Sequence, residues 1–140
     1  MLLRIDHVGI ACRNLDEAIA RYESVFGLTV TSRESNPEQG VHEAMLQVGD
    51  AAGGTTWVQL LEPTGPDTPV GKFIARRGEG VHHVGYAVAD ITAALASIGA
   101  TDVRRIDERP RHGSMGASIA FLHPADLGGV LTELVQPAAG

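Results

Sequence analysis

Residues 5–11 read IDHVGIA, and residues 81–87 read VHHVGYA. When His7 is aligned with His83, five of the seven positions are identical or similar. A helix is expected to begin after each copy, with Asn14 and Asp90 as its N-cap residues. Each half then closes with a similar strand, at residues 57–63 and 131–137. The recurrence of strand, cap and closing strand indicates an internal duplication.

Each half of the chain is typical of a strand, a helix and three further strands. The later strands are expected near residues 28–34, 41–48 and 55–62, and near residues 103–107, 117–123 and 129–136. Residues 67–78 predict a connecting helix, and residues 50–56 predict a turn. Gly27 and Gly99 are each expected to end a helix as a left-handed C-cap. The sequence thus predicts an α+β fold. Two similar βαβββ modules, at residues 3–63 and 80–137, form one domain of residues 1–140 with a curved sheet cleft.

Composition excludes several classes of function. The chain has 140 residues and a net charge of -6, which argues against a nucleic-acid partner because phosphate binding needs a basic face. It lacks an apolar run of the roughly 20 residues that a membrane span requires, so no membrane association is expected. Cys12 is the only cysteine, which excludes an intramolecular disulfide. We therefore expect a cytoplasmic protein in a reducing compartment.

Four polar residues interrupt otherwise apolar strand faces at equivalent places in the two modules: His7, Gln59, His83 and Glu133. A single buried histidine in a strand is more often a hydrogen-bonded core residue than a ligand. Polar side chains that face inward are costly unless they are satisfied, however, and here they recur in symmetric pairs. Two imidazoles, a carboxylate and an amide oxygen suit a first-row transition metal. If the sheet curls around a common concave surface, we expect the four to form a metal site.

Glu43 shares a strand face with Val41 and Met45. Taken alone, a glutamate in an edge strand more often faces solvent. If this face lines the concave surface, Glu43 and Glu133 could flank a substrate and move a proton from one side of a carbon to the other. His82 faces away from His83, which favours a structural role. The remaining histidines, at positions 42, 112 and 123, favour solvated roles near strand and loop ends.

Further motifs give a resemblance to a known family. They are NPEQGV at residues 36–41, LLEP at 60–63, GEGVHH at 78–83, FLHP at 121–124 and GGVLTEL at 128–134. From residue 5 to residue 136 the chain resembles the vicinal oxygen chelate (glyoxalase-like) superfamily, and within it the methylmalonyl-CoA epimerases. The resemblance implies interconversion of (R)- and (S)-methylmalonyl-CoA through an enolate, as in propionate metabolism. Its partner is then a small-molecule CoA thioester.

The resemblance also implies roles for individual residues. The metal ligands fall on His7, Gln59, His83 and Glu133, and the general base falls on Glu43, with Glu133 as the second acid/base group. The implied cofactor is a divalent metal ion, foremost Co(II), with Mn(II), Ni(II) or Zn(II) as other occupants. The family commonly forms homodimers, and each module offers an exposed sheet edge.

Substrate contacts are less well defined by the sequence. Gln39 and Ser114 lie in equivalent loops of the two modules and are candidates to hold the malonyl carboxylate. Arginines 104, 105, 109 and 111 could contact the CoA phosphates or could remain solvated. Two further functions stay open, a glyoxalase I-like lyase and a metal-free resistance protein that sequesters a ligand. The lyase typically has Glu where Gln59 stands, and the resistance protein needs no metal ligands. Gln59 also argues against an extradiol dioxygenase, which uses two histidines and one carboxylate.

Overall fold

The architecture is α+β, with the strand and helix order βαβββ in each half. The computed structural model describes residues 1–50 and 55–139, so residues 51–54 of the expected turn lie outside the described residues. The first half contains β1 (Arg4–Ala11), α1 (Leu15–Phe26), β2 (Val30–Asn36), β3 (Val41–Val48) and β4 (Thr56–Pro63). The connecting helix is α2 (Pro69–Arg77). The second half contains β5 (Gly80–Ala87), α3 (Ile91–Gly99), β6 (Arg111–His112), β7 (Ser118–Leu122) and β8 (Thr132–Gln136).

The chain divides into two compact units. We call His7–His82 the central unit, and Met1–Asp6 together with His83–Gly140 the terminal unit. The unit boundaries fall inside β1 and β5, so these two strands contribute residues to both units. In the part of the chain that the structure describes, no helix is long and apolar enough to cross a membrane.

In the central unit, α1 covers one face of a sheet with the strand order β2-β3-β4-β1. Strand β3 is antiparallel to both of its neighbours, whereas β1 and β4 are parallel. Leu15 and Ile19 of α1 pack against Ala44, Leu46 and Leu60 of the sheet. We call this the helix face of the central sheet, and it holds most of the unit's apolar packing.

The two ends of α1 confirm the expected caps. The helix begins after Asn14, whose side-chain oxygen accepts a hydrogen bond from the backbone N–H of Glu17 at 2.9 Å. It ends at Gly27, which adopts the left-handed conformation with a φ of 67°. An N-cap oxygen and a left-handed glycine satisfy backbone groups that a helix leaves unpaired at its ends.

The opposite face of the central sheet carries the polar residues, and we call it the site face. One end of this face is covered by α2, where Val70 packs with Ala11, Val41 and Leu61. Helix α2 begins after Thr68, whose hydroxyl oxygen accepts from the Gly71 N–H. The middle of the site face, which β1, β3 and β4 form, therefore lies beyond this packing.

The terminal unit has the same plan with the strand order β1-β5-β8-β7-β6. The Leu3 N–H donates to the Ala87 carbonyl, β5 and β8 are parallel, and β7 and β8 are antiparallel. Helix α3 begins after Asp90, whose carboxylate accepts from the Ala93 N–H. Its apolar side chains pack against Ala120, Leu122 and Leu134. This helix therefore occupies the place in its unit that α1 has in the central unit.

Strand register confirms the duplication. In the parallel pair of the central unit, Gly9 lies opposite Gln59. In the parallel pair of the terminal unit, Gly85 lies opposite Glu133. Since His7 and His83 each precede these glycines by two residues, the predicted ligands occupy equivalent register positions in the two modules.

The strand expected at residues 103–107 is not present. That segment makes one isolated bridge, between Arg105 and Leu122, and the short strand β6 lies later in the chain. The segment's backbone pairing with β7 is irregular, because the N–H groups of Ile106 and Asp107 both donate to the Phe121 carbonyl, and side chains add further bonds. The Asp107 carboxylate accepts the Phe121 N–H at 2.9 Å, and the Asp126 carboxylate accepts the Arg104 N–H at 2.9 Å. Short polar side chains that bond to backbone groups commonly compete with regular structure in this way.

Gly99 is not the left-handed cap that the sequence suggests. It is the last residue of α3, and the capping residue Ala100 is right-handed, with a φ of -84°. A Cβ at position 99 would lie 2.8 Å from Cζ of Arg105. A side chain at position 99 would thus displace the flexible end of Arg105, which supplies the three nearest atoms.

Two glycines with similar positive φ values allow backbone strain to be distinguished from steric overlap. Gly27 and Gly40 have φ values of 67° and 70°. A Cβ at Gly27 would have no atom within 4 Å, whereas a Cβ at Gly40 would lie 2.5 Å from Cγ2 of Thr68. The Thr68 side chain cannot turn away without losing its bonds to Gly65 and Gly71.

We expect Gly27→Ala to lower the free energy of unfolding by about 1 kcal/mol, the cost of a left-handed non-glycine residue. Gly40→Ala should lower the free energy of unfolding by about 1–3 kcal/mol more than Gly27→Ala does, because the new methyl group would be overpacked against Thr68. Urea denaturation of both variants measures the difference. Equal losses for the two variants would contradict the contact assigned to Gly40.

Candidate functional site

The buried polar side chains of the described residues include every predicted ligand and acid/base residue. They are Asp6, His7, Glu43, Gln59, His83, Thr132 and Glu133. Burying a polar group is costly unless it is hydrogen-bonded or coordinated. Burial of the predicted residues therefore carries a desolvation cost, which is expected of a functional site.

Glu43 is a buried residue of the sheet interior. Its strand β3 lies between β2 and β4, and the residue is 3% exposed. The alternative of a solvent-facing glutamate on an edge strand is therefore wrong. In the register of β3 and β4, Glu43 lies opposite Leu61 and Met45 lies opposite Gln59. All four side chains accordingly share the site face.

Gln59 holds the carboxylate of Glu43. Its Nε2 atom donates a hydrogen bond to Oε2 of Glu43 at 3.0 Å. An ionised carboxylate only accepts hydrogen bonds, so the amide must turn its NH₂ group toward Glu43. Oε1 is then the amide atom that can act as a metal ligand. This bond connects the predicted base directly to a predicted ligand, a relation that the sequence analysis did not anticipate.

In the terminal unit, His83 and Glu133 lie on the neighbouring strands β5 and β8. Their closest atoms, Nε2 of His83 and Oε2 of Glu133, are 3.8 Å apart, and each residue is 3% exposed. This separation is too long for a hydrogen bond. It is compatible with two ligands of one ion, because metal–nitrogen and metal–oxygen bonds are each about 2.1 Å long.

Phe121 orients the His83 ring and was missed by the sequence analysis. It lies opposite Glu133 in the β7–β8 register, and its ring meets the imidazole edge-on at a centroid distance of 5.5 Å. Edge-to-face contacts of this kind restrict the ring plane. The signal was present in the FLHP motif, but the strand register was needed to interpret it.

Three of the predicted ligands are buried donor groups for a metal ion. They are His7, His83 and Glu133, each buried and each offering one ligand atom. Imidazole nitrogens combined with a carboxylate oxygen suit a divalent first-row transition metal. With the Gln59 oxygen oriented by Glu43, the donors that this chain provides fit a divalent ion.

The other histidines have local contacts that explain them. The His82 ring packs edge-on against Phe73 of α2 at 5.0 Å, and burial lowers the pKa of His82 to about 4, so the ring is neutral near pH 7. Nδ1 of His42 is 2.7 Å from the Ser35 hydroxyl on the helix face, and Nδ1 of His123 accepts the Ala125 N–H. His112 is exposed at the edge of the sheet.

The two predicted substrate residues lie in turns of different units. Gln39 is half-buried in the turn between β2 and β3, where its N–H donates to the Asn36 side chain at 3.2 Å. Ser114 is half-buried at the start of a single 3₁₀ turn that includes Met115, a left-handed residue with a φ of 53°. Their role toward a substrate carboxylate stays a prediction.

Three of the four arginines in residues 104–111 pair with acidic groups nearby. Arg104 bonds to Asp126 at 2.9 Å and lowers the pKa of that carboxyl to about 2. Arg105 lies 3.8 Å from Glu108, and Arg111 lies 3.0 Å from Asp107. These pairs favour a structural role for the three side chains over phosphate binding.

Known proteins resemble this chain along nearly its whole length. Residues 6–121 match the family model of the Glyoxalase/Bleomycin resistance protein/Dioxygenase superfamily. A solved structure of a methylmalonyl-CoA epimerase in complex with methylmalonyl-CoA and NH4+ is 51% identical, with a TM-score of 0.96 over 99% of this chain and 97% of that chain. The human mitochondrial methylmalonyl-CoA epimerase is 35% identical over 95% of this chain and 73% of its own. An ethylmalonyl-CoA/methylmalonyl-CoA epimerase of Cereibacter sphaeroides is 33% identical over 97% and 99%.

We expect His83→Ala to lower the bound metal content of the purified protein, because it removes an imidazole donor from the buried group. His42→Ala is the matched control, since His42 is exposed on the helix face and contacts Ser35. Elemental analysis after dialysis against Co(II) measures both variants. Equal metal content in His83→Ala and the unsubstituted protein would contradict the ligand assignment.

Proposed function

Since this chain belongs to the Glyoxalase/Bleomycin resistance protein/Dioxygenase superfamily and, within it, to the methylmalonyl-CoA epimerases, we propose that Glu43 and Glu133 move the proton that interconverts (R)- and (S)-methylmalonyl-CoA. The observation that carries this proposal is the buried carboxylate of Glu43, held by the Gln59 amide at 3.0 Å. A buried carboxylate that is fixed in one orientation suits proton transfer at a carbon atom.

The donors of the proposed metal site are His7, Gln59, His83 and Glu133. A divalent ion held there supplies a Lewis acid that stabilises negative charge developing on the substrate oxygens. Gln59 is neutral and contributes its Oε1 atom, while its Nε2 atom remains bonded to Glu43. The base is therefore positioned by the same side chain that would complete the ligand set.

The substrate α-carbon carries an acidic C–H bond between a thioester and a carboxylate. In one direction Glu43 accepts this proton, the C–H bond breaks and its electron pair enters an enolate. Protonated Glu133 then donates its proton to the opposite side of the carbon, which inverts the configuration. Glu43 is left protonated and Glu133 ionised, so both must exchange protons with water before the same direction repeats. Each such acid/base contact typically contributes about 10² to 10⁴ in rate.

Glu133 has two roles in this proposal, as ligand and as acid/base group. A carboxylate has two oxygens, so one can coordinate while the other carries a proton. Oε2 is the atom nearer to His83, at 3.8 Å from its Nε2 atom. Glu43 is not one of the predicted metal ligands. Its substitution is therefore the simpler test of proton transfer.

The rival functions differ from the proposal in named residues. A glyoxalase I-like lyase would typically have a carboxylate where the neutral Gln59 bonds to Glu43. A ligand-sequestering resistance protein would have no use for the buried group of His7, His83 and Glu133. Both rivals are separated from the epimerase by incubation with methylmalonyl-CoA in deuterated water.

Glu43→Gln should reduce exchange of the substrate α-proton for deuterium by at least about 10², because the amide cannot accept the proton. The substituted side chain can still accept the bond from Gln59, so metal content should be unchanged. Mass spectrometry of the recovered thioester measures the exchange.

Glu62→Gln is the matched control for that experiment. Glu62 lies on β4, on the side where it accepts the Leu15 N–H at the start of α1. The Glu62→Gln variant should exchange the substrate α-proton at a rate close to that of the unsubstituted protein. Full epimerase turnover by Glu43→Gln would exclude Glu43 as the base.

Four finer features belong to the same proposal: the identity of the ion, the metabolic role, the compartment and the oligomeric state. The resident ion is Co(II), with Mn(II), Ni(II) and Zn(II) as competing occupants. The protein works in propionate metabolism in the cytoplasm, in keeping with Cys12 as its only cysteine. It acts as a homodimer, so light scattering should give twice the 14.7 kDa of the single chain. A mass equal to one chain at working concentrations would exclude the dimer.

A further inference from the structure

We propose that Met45 sets the size of the alkyl group that the substrate can carry on its α-carbon. This inference rests on the proposed function and adds a specificity-determining residue to it. One relative is named as an epimerase of both ethylmalonyl-CoA and methylmalonyl-CoA, whereas the human relative is named for methylmalonyl-CoA alone, which raises the choice between an ethyl and a methyl group. The question is which side chain makes that choice in this chain.

The register of β3 and β4 places Met45 beside both functional groups of the central unit. Met45 lies directly opposite Gln59, and Glu43 is two residues away on the same strand. Directly opposed side chains have Cβ atoms about 4.5–5.5 Å apart. Residues two apart in a strand are about 7 Å apart on one face. Glu43, Met45 and Gln59 therefore form a triangle on the site face, two of whose corners are joined by the 3.0 Å hydrogen bond.

Met45 is the apolar corner of this triangle. It is 3% exposed, so its side chain is enclosed among other protein atoms on the site face. The other apolar residue nearby, Leu61, is already packed against Val70 of α2 together with Ala11 and Val41. Leu61 thus holds the helix in place, and Met45 is the apolar side chain beside both the base and the predicted ligand.

The chemistry of the reaction brings the alkyl group close to this corner. Glu43 can take a proton only from an α-carbon within hydrogen-bond reach of its carboxylate. The alkyl group is bonded to that same carbon, so it lies within one bond of the atom that faces Glu43, and Met45 is an apolar side chain next to Glu43 on the site face of β3. An ethyl group extends one carbon further than a methyl group. A methionine wall yields more readily than a branched or aromatic one, since the side chain is unbranched and flexible.

The test compares the two substrates in the α-proton exchange assay. Met45→Ala should raise the ratio of kcat/KM for ethylmalonyl-CoA to kcat/KM for methylmalonyl-CoA on the order of tenfold, as expected for one methylene in an apolar pocket. Met45→Val should raise it in the same direction and suits a strand better. It therefore decides the matter if the alanine variant does not fold. Met45→Phe should lower the ratio.

Leu46→Ala is the matched control. Leu46 is the next residue of β3 but lies on the helix face, fully buried against α1. This variant loses a similar apolar side chain and should leave the substrate ratio unchanged when assayed below its unfolding temperature. An unchanged ratio in both Met45→Ala and Met45→Val, or an equal rise in Leu46→Ala, would overturn the role of Met45. Absence of exchange on either substrate by the unsubstituted protein would instead reject the proposed function itself.

Discussion

The hydrogen bond from Gln59 to Glu43 is the interaction on which the central unit depends. A carboxylate that is 3% exposed loses most of its hydration, and that loss must be offset by groups within the protein. The amide at 3.0 Å supplies part of that compensation. It also requires β3 and β4 to keep their register, because a slip of β3 by one residue would turn Glu43 to the helix face, away from Gln59. The same bond thus fixes the position of the carboxylate, the orientation of the amide and the pairing of the two strands.

The stability of the central unit is concentrated on the opposite face. There α1 packs Leu15 and Ile19 against Ala44, Leu46 and Leu60, none of which is a predicted site residue. On the site face, α2 packs against one end of the sheet through Val70 and leaves Glu43 and Gln59 to the middle. Because the apolar packing lies on the helix face, the strands can carry on the site face polar groups that would be destabilising in an apolar core. The terminal unit repeats the arrangement, with α3 on one face and His83, Phe121 and Glu133 away from it.

Strand alternation was enough to identify the candidate residues, because a polar side chain among apolar neighbours on one face is visible in the sequence. The repeat then showed that these positions correspond in pairs, and the shared register of Gln59 and Glu133 confirmed it. Contacts between strands could not be derived in the same way. The bond between Glu43 and Gln59 depends on how β3 is placed against β4, which alternation does not specify. The segment at 103–107 was misassigned because Asp107 and Asp126 bind backbone groups through their side chains.

The matching register positions of Gln59 and Glu133 differ in charge, and this difference has an electrostatic consequence. When Glu133 is ionised and the imidazoles of His7 and His83 are neutral, the proposed donor set carries a single formal negative charge. A divalent cation in such a set would retain a net charge of about +1. A carboxylate in place of Gln59 would cancel that excess and would also repel Glu43, whose carboxylate the amide now contacts at 3.0 Å. The neutral residue at this position therefore leaves a positive charge in the proposed site, which would attract the negatively charged malonyl carboxylate.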